Sequence, residues 1–307
     1  MNARQSTRFF HTSIFALACS LCSFVQAATE VAIPAETMDP ALHAMLPEAI
    51  RKAGVINLVT DAHYPPCVTF AADNKTMVGY EPDLWNAMAQ KLGVKVKATS
   101  IAFDGLIPGV QSGRYDVAME CISDSAEREK QVTFVDFSYA TNAFYTLKSN
   151  TKVTDDALSL CGLHAAVQSG TDFAPTITDI FSPHCVAAGK KPIELSQYPS
   201  ADAVLMALYS GRVDFVVNDA AAAKDMEKTA PKPIRVITSD LMPKFYLGIV
   251  VKRDDTAMAN AMLAALKAVH ASGNYNRIME KWDLAPLKLP NPGINLTSTD
   301  PIQNPKP

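Results

Sequence analysis

The feature that most restricts how this chain can fold is an alternation of short apolar runs and amphipathic segments. "GVINLVTD" (54–61) is a compact apolar run that ends in polar residues, as a buried strand does. "GYEPDLWNAMAQKLG" (79–93) has helical spacing. Trp85, Met88, Ala89 and Leu92 fall on one face, Pro82 suits the first turn and Gly93 the stop. "VKVKATSI" alternates like a strand, "DGLIPGVQSG" reads as a short helix closed by Gly113, and "YDVAME" is another strand. A strand–helix–strand–helix–strand order predicts an α/β fold with parallel sheets.

The second half repeats this plan. "LHAAVQSG", "VDFVVND" and "LGIVVKRDD" read as strands, "SADAVLMALYSG" as a helix closed by Gly211, and residues 255–284 as two amphipathic helices. The phrase "QSGRYDVAME" (111–120) echoes "YSGRVDFVVND" (209–219): a small-residue turn, Arg, any residue, Asp, then an apolar strand. Two lobes built alike are predicted. Residues 290–307 are rich in Pro and Asn, lack periodicity and read as a loose, flexible tail.

The 307 residues suffice for one large or two medium domains. Net charge is −3 with no basic block, which argues against a nucleic-acid partner. Arg4 and Arg8 precede an apolar run from Ser13 to Val25, and "VQA" ends at Ala27, so residues 1–27 read as a cleaved export signal. Losing those two arginines takes the charge to −5. No later apolar stretch is long enough to span a bilayer, so membrane insertion is not expected. Residues 28–49 form an N-terminal extension.

Export changes the meaning of the cysteines. Cys67, Cys121, Cys161 and Cys185 remain, an even count in an oxidising compartment. Cys161 and Cys185 flank one segment, whose closure adds roughly 3 kcal/mol in the chain-entropy model. Cys67 and Cys121 are left as a second candidate pair, with free thiols as the alternative. There is no C-x-x-C, no H-E-x-x-H and no cofactor motif, so neither metal nor cofactor is expected.

In open parallel sheets ligands bind beyond the carboxyl ends of the strands. Four segments put polar groups there: "TDAHYPP" (60–66), "MECISDSAER" (119–128), "QSGTD" (168–172) and "ND" (218–219). Acids, hydroxyls, one arginine and an aromatic suit a zwitterion.

Over residues 50 to 288 the chain resembles the family-3 solute-binding proteins, receptors of polar amino acid ABC transporters. The phrases that carry this are "TDAHYPP", "GYEPDLWNAMAQKLGV", "FDGLIPGVQSGRYDVAM", "SDSAEREKQVTFVDF", "VQSGTD", "GRVDFVVND" and "SGNYNRIMEKW", in family order. The resemblance implies a bilobal flytrap with two crossover strands, lobe 1 at 50–140 and 246–289, lobe 2 at 141–245. It implies a periplasmic, monomeric receptor that binds an amino acid in the cleft and docks on an ABC permease. "LCGLHAAVQSGTD" followed by "HC" also resembles a subgroup in which those two cysteines are bridged.

Site roles carry over by position. Arg128 matches the arginine that forks the ligand α-carboxylate, and Ser123 a hydroxyl beside it. Asp219 matches the acceptor of the α-ammonium; a helix-capping aspartate is its plainer reading. Tyr64 and Phe103 match the pair that sandwiches the side chain, and Gly170 and Thr171 a turn whose N–H groups help hold the carboxylate. Asp61 matches a side-chain-reading position. Three residues depart from the pattern: Glu120, Cys121, and Asp172, which stands where Thr or Ser is usual. Asp172 is expected to turn away and cap the next helix. Glu120 with Asp61 would favour a cationic side chain, provided Glu120 faces the cleft. Two rivals stay open: a cyclohexadienyl dehydratase on the same fold, with Glu120, Asp172 or His63 as acid, and a ligand-sensing module for a separate receptor.

Overall fold

A computed structural model describes residues 31–304; the export signal expected at 1–27 lies outside the described residues. Among the described residues, no helix is long and apolar enough to cross a membrane.

Each lobe starts from a parallel set of strands. In lobe 1, Val55–Thr60 lies between Lys95–Ser100 and Val117–Ala118. In lobe 2, His164–Gln168 lies between Glu194–Tyr198 and Phe215–Asp219. The helix Tyr80–Leu92 buries Leu84, Trp85, Met88, Ala89 and Leu92 and ends at Gly93, in the left-handed conformation expected of a stop. The helix Ala201–Tyr209 starts where the Ser200 hydroxyl accepts from Ala203 N–H.

The echoed phrases make equivalent joints. Gly113 and Gly211 turn the chain at φ 73° and 72°. Asp116 then exchanges hydrogen bonds with Asn57: its carboxylate accepts from Asn57 N–H at 2.7 Å and its own N–H donates to Asn57 O at 2.9 Å. In lobe 2 the carboxylate of Asp214 accepts from His164 N–H at 3.0 Å, and Asp214 N–H donates to His164 O at 2.8 Å. Each aspartate thus sets the register of its strand against the neighbour, a structural role rather than a binding one.

The two sheets are mixed, not purely parallel, because two strands pass from one lobe to the other. Val132–Leu147 runs for 16 residues. It pairs antiparallel with Lys244–Lys252 from Val132 to Thr141, then with Phe215–Asp219 from Asn142 to Tyr145. Partners change between adjacent residues, so the strand itself is the bridge between lobes. Apolar clusters cover both faces of each sheet. In lobe 2, Phe144 packs edge-on against Phe181 and Phe215 at 4.7 and 5.3 Å.

Residues 290–304 are not loose, which corrects the expectation for the tail. Lys288–Ile294 pairs antiparallel with the long crossover strand, contacting it at Lys288, Gly293 and Ile294. The bulge between them leaves Pro290 and Pro292 out of the ladder, so prolines are tolerated and apolar alternation is not needed. The turn Leu296–Thr299 is then held by acids: Leu296 N–H donates to Asp136 at 2.9 Å, Thr297 N–H to Asp124 at 3.1 Å and Ser298 N–H to Glu129 at 3.2 Å. Farther on, Asn304 makes paired bonds with the Lys244 backbone, at 2.7 and 2.8 Å. The N-terminal extension is clasped as well. Glu36 pairs with Lys91 at 2.8 Å and accepts from Asn274 Nδ2 at 2.8 Å.

Asp136 is fully buried beside Asp124. Burial, then the neighbouring carboxylate, pushes the Asp136 carboxyl far above its ordinary range; burial raises Asp124 too. Folding therefore favours the protonated acids. The stability they contribute is full below the ordinary carboxyl range and is lost as pH rises through the folded-state values. Melting points should fall between about pH 5 and about pH 8.5. Asp136→Asn keeps an oxygen for Leu296 N–H and should flatten that slope in calorimetry; a slope parallel to wild type would assign the effect elsewhere.

Candidate ligand-binding site

The carboxyl ends of both parallel sets open onto one cleft. Lobe 1 contributes Asp61 and Tyr64 after its first strand, Phe103 after its second and residues 120–128 after its third. Lobe 2 contributes Gln168 to Phe173 and Asn218–Asp219. All eleven candidate residues gather here: Asp61, Tyr64, Phe103, Glu120, Cys121, Ser123, Arg128, Gly170, Thr171, Asp172 and Asp219.

Arg128 is 6% exposed and spans the cleft. Its Nη1 donates to the carbonyl and hydroxyl oxygens of Ser123, at 2.8 and 2.6 Å, and its Nη2 to Gly170 O at 2.8 Å. Its guanidinium carbon lies 6.0 Å from the Phe103 ring centre. Gly170 (φ 81°) comes so near lobe 1 that a Cβ would sit 3.3 Å from Asp104. It offers Arg128 its carbonyl rather than an N–H, and the Thr171 hydroxyl donates to Gln168 O at 2.6 Å.

Asp172 departs from its expected role. It makes no capping hydrogen bond; its carboxylate turns toward Arg128, 3.2 Å from Nη1, and accepts from the Ser123 hydroxyl at 2.8 Å. A buried guanidinium attracts a carboxylate more strongly than an exposed helix end does.

Asp219 makes the helix cap of its plainer reading and also reaches the cleft. One carboxylate oxygen caps the next helix, accepting from Ala221 and Ala222 N–H at 2.8 and 3.1 Å. The residue also lines the crevice beside Arg128. Burial pushes its carboxyl up to about 6. Tyr64 reaches across the cleft; its hydroxyl donates to Asn218 and accepts from Asp219 N–H at 3.3 Å.

Glu120 faces the cleft. It is 3% exposed, lines both free spaces, and its carboxyl makes no hydrogen bond among the described residues. Burial, then the Glu81 and Asp61 carboxylates, holds its carboxyl well above the ordinary range. The outer space, 350 Å³, is bounded by Asp61, Tyr64, Glu120, Gln168 and Ser200. The inner crevice at Arg128, Ser123 and Thr171 is only 20 Å³.

Cys121 sits at φ 46° beside Glu120 and is bridged to Cys67; Cys161 is bridged to Cys185. Behind Cys121, the buried Glu81 accepts its N–H at 2.7 Å, and burial pushes the Glu81 carboxyl up to about 8. Sequence reasoning missed Glu81, Phe173 and Phe245, and placed Gln168 and Asn218 at the strand ends without giving them a role. Glu81 carried one signal, an acid inside the first turn of an otherwise apolar helix face.

Two α/β lobes joined by crossover strands, with a polar cleft at the strand ends, define a two-lobed solute-binding protein. The bacterial extracellular solute-binding proteins, family 3, match residues 56–285, and the chain belongs to that family. It is 29% identical over 246 residues to the arginine-binding protein ArgT of Corynebacterium glutamicum, covering 80% of this chain and 79% of that one. An ancestral arginine-binding protein solved with arginine superposes with a TM-score of 0.66, at 30% identity, over 75% of this chain and 98% of the other. An ancestral amino acid-binding protein described as a precursor of cyclohexadienyl dehydratase superposes with a TM-score of 0.67, at 27% identity, over 76% and 98%.

The Cys67–Cys121 bridge ties the acid-bearing loop to the segment after Tyr64. Peptide mapping of the oxidised protein should recover 67–121 and 161–185 linkages. Replacing Cys67 and Cys121 with Ser should lower unfolding stability by roughly 4 kcal/mol in denaturant titration.

Proposed function

We propose that the protein is a periplasmic receptor that captures an amino acid with a cationic side chain and hands it to an ABC permease. The observation that carries this is the placement of Asp61 and the unpartnered Glu120 around the 350 Å³ space, with Arg128 and Ser123 at the other end of the cleft. A guanidinium or ammonium entering that space would find carboxylates in a water-poor setting, where charge-assisted hydrogen bonds are strong. The α-carboxylate would take the Arg128 fork and the α-ammonium the free side of Asp219. Relatives named for arginine binding support the same reading. Contacts to both lobes favour the closed form, the signal a permease needs.

A second reading has one observation behind it. Glu120 is buried in the cleft, where burial and the Glu81 and Asp61 carboxylates favour its protonated form, as a general acid needs, and a precursor of cyclohexadienyl dehydratase has the same fold. Turnover of prephenate or arogenate by purified protein would establish it; none is expected.

Thermal-shift and calorimetric titration of the mature protein should find arginine, ornithine or lysine raising the melting point, and neutral amino acids less so. Arg128→Ala should weaken arginine at least about 100-fold, and Glu120→Gln about ten-fold with little effect on a neutral amino acid. A cation favours ionised carboxyls, and burial pushes Asp219 up to about 6 and holds Glu120 well above its ordinary range. Binding should therefore release protons, and affinity should rise from about pH 5 to about pH 8. Flat pH dependence would place the ligand's charge elsewhere.

A further inference from the structure

We infer that the cleft also takes a carboxylate-free dication, an alkane diamine or guanidino-alkylamine, with Asp172 supplying the carboxylate that such a ligand lacks. This rests on the receptor reading above and extends it to a second ligand class.

Three independent features converge. First, both groups that would hold a ligand carboxylate already hold one. The Asp172 carboxylate lies 3.2 Å from Arg128 Nη1 and accepts the Ser123 hydroxyl at 2.8 Å, while Arg128 Nη2 is taken by Gly170 O at 2.8 Å. Second, there is little room at the guanidinium itself, and the 440 Å³ groove that borders Ser123 and Asp172 is not lined by Arg128. The crevice beside Arg128 is 20 Å³, space for about one water. The 350 Å³ space lies against Asp61 and Glu120. Third, the charge does not balance for an amino acid. Asp61, Asp172 and Asp219, with the buried Glu120, face the Arg128 guanidinium and one imidazole, that of His63, which lies 2.7 Å from Asp61 and is exposed at the mouth of the space. A cationic amino acid brings one net positive charge to this cleft. A diamine or guanidino-amine brings two, one for Asp61 with Glu120 and one for Asp219, and leaves the Asp172–Arg128 pair intact.

Asp172 can also leave. On its other side it lines a 440 Å³ groove bounded by Phe173, Asp179, Lys244 and Ile302. Turning into that groove would free Arg128 and Ser123 for an amino acid, so one residue would sort the two classes.

The test is calorimetric titration of the mature protein with agmatine, 1,4-diaminobutane, arginine and ornithine, repeated on Asp172→Ser and Asp172→Asn. Wild type should bind agmatine within about ten-fold of arginine. Asp172→Ser should weaken agmatine and tighten arginine, each about ten-fold, with Asp172→Asn between. Arginine binding with no agmatine binding at about 1 mM would overturn the inference and leave the receptor reading standing. Equal weakening of both ligands in the Asp172 variants would overturn it too. Binding by neither class would defeat both.

Discussion

A buried guanidinium needs partners for its charge, and Arg128 draws them from both lobes. Ser123 and Asp172 reach it from opposite sides of the cleft, and Gly170 offers a carbonyl from lobe 2. Removing its partners would leave a charge stranded at low dielectric. Much around it follows from that demand. Gly170 has no side chain because Asp104 and Phe103 press against it, and the Cys67–Cys121 bridge and Glu81 fix the loop that leads to Ser123. Even Asp172, expected to cap a helix, is drawn to the arginine.

The lobes can meet in this way because of the two strands that link them. Val132–Leu147 is a member of both sheets, so the relative placement of Ser123 and Gly170 passes through a continuous hydrogen-bonded ladder. The family match and the structural neighbours give the same architecture. The acids arranged along the cleft then give this chain's site its charge.

Much of this was legible in the sequence because its signals are local. The repeat carrying Asp116 and Asp214 revealed two lobes, since the same turn must set the same strand register twice. The helix Tyr80–Leu92 announced both ends. The 16-residue crossover strand did not read as a strand, because helices and neighbours cover both its faces and erase alternation. The tail did not read as ordered, since acids distant in sequence, Asp124, Glu129 and Asp136, hold it. The directions of Glu120 and Asp172 were equally illegible. Both are set by charges that meet only when lobes separated by tens of residues come together.

The tail has a practical consequence. Pro301, Ile302 and Asn304 lie by the start of the strand Lys244–Lys252, with Asn304 bonded to the Lys244 backbone and Ile302 in the groove beside Asp172. An environment-sensitive dye attached at position 302 would sit in the groove that Ser123 and Asp172 also line, next to the Asp172–Arg128 pair. The groove therefore offers an attachment point for an optical reporter of solute capture.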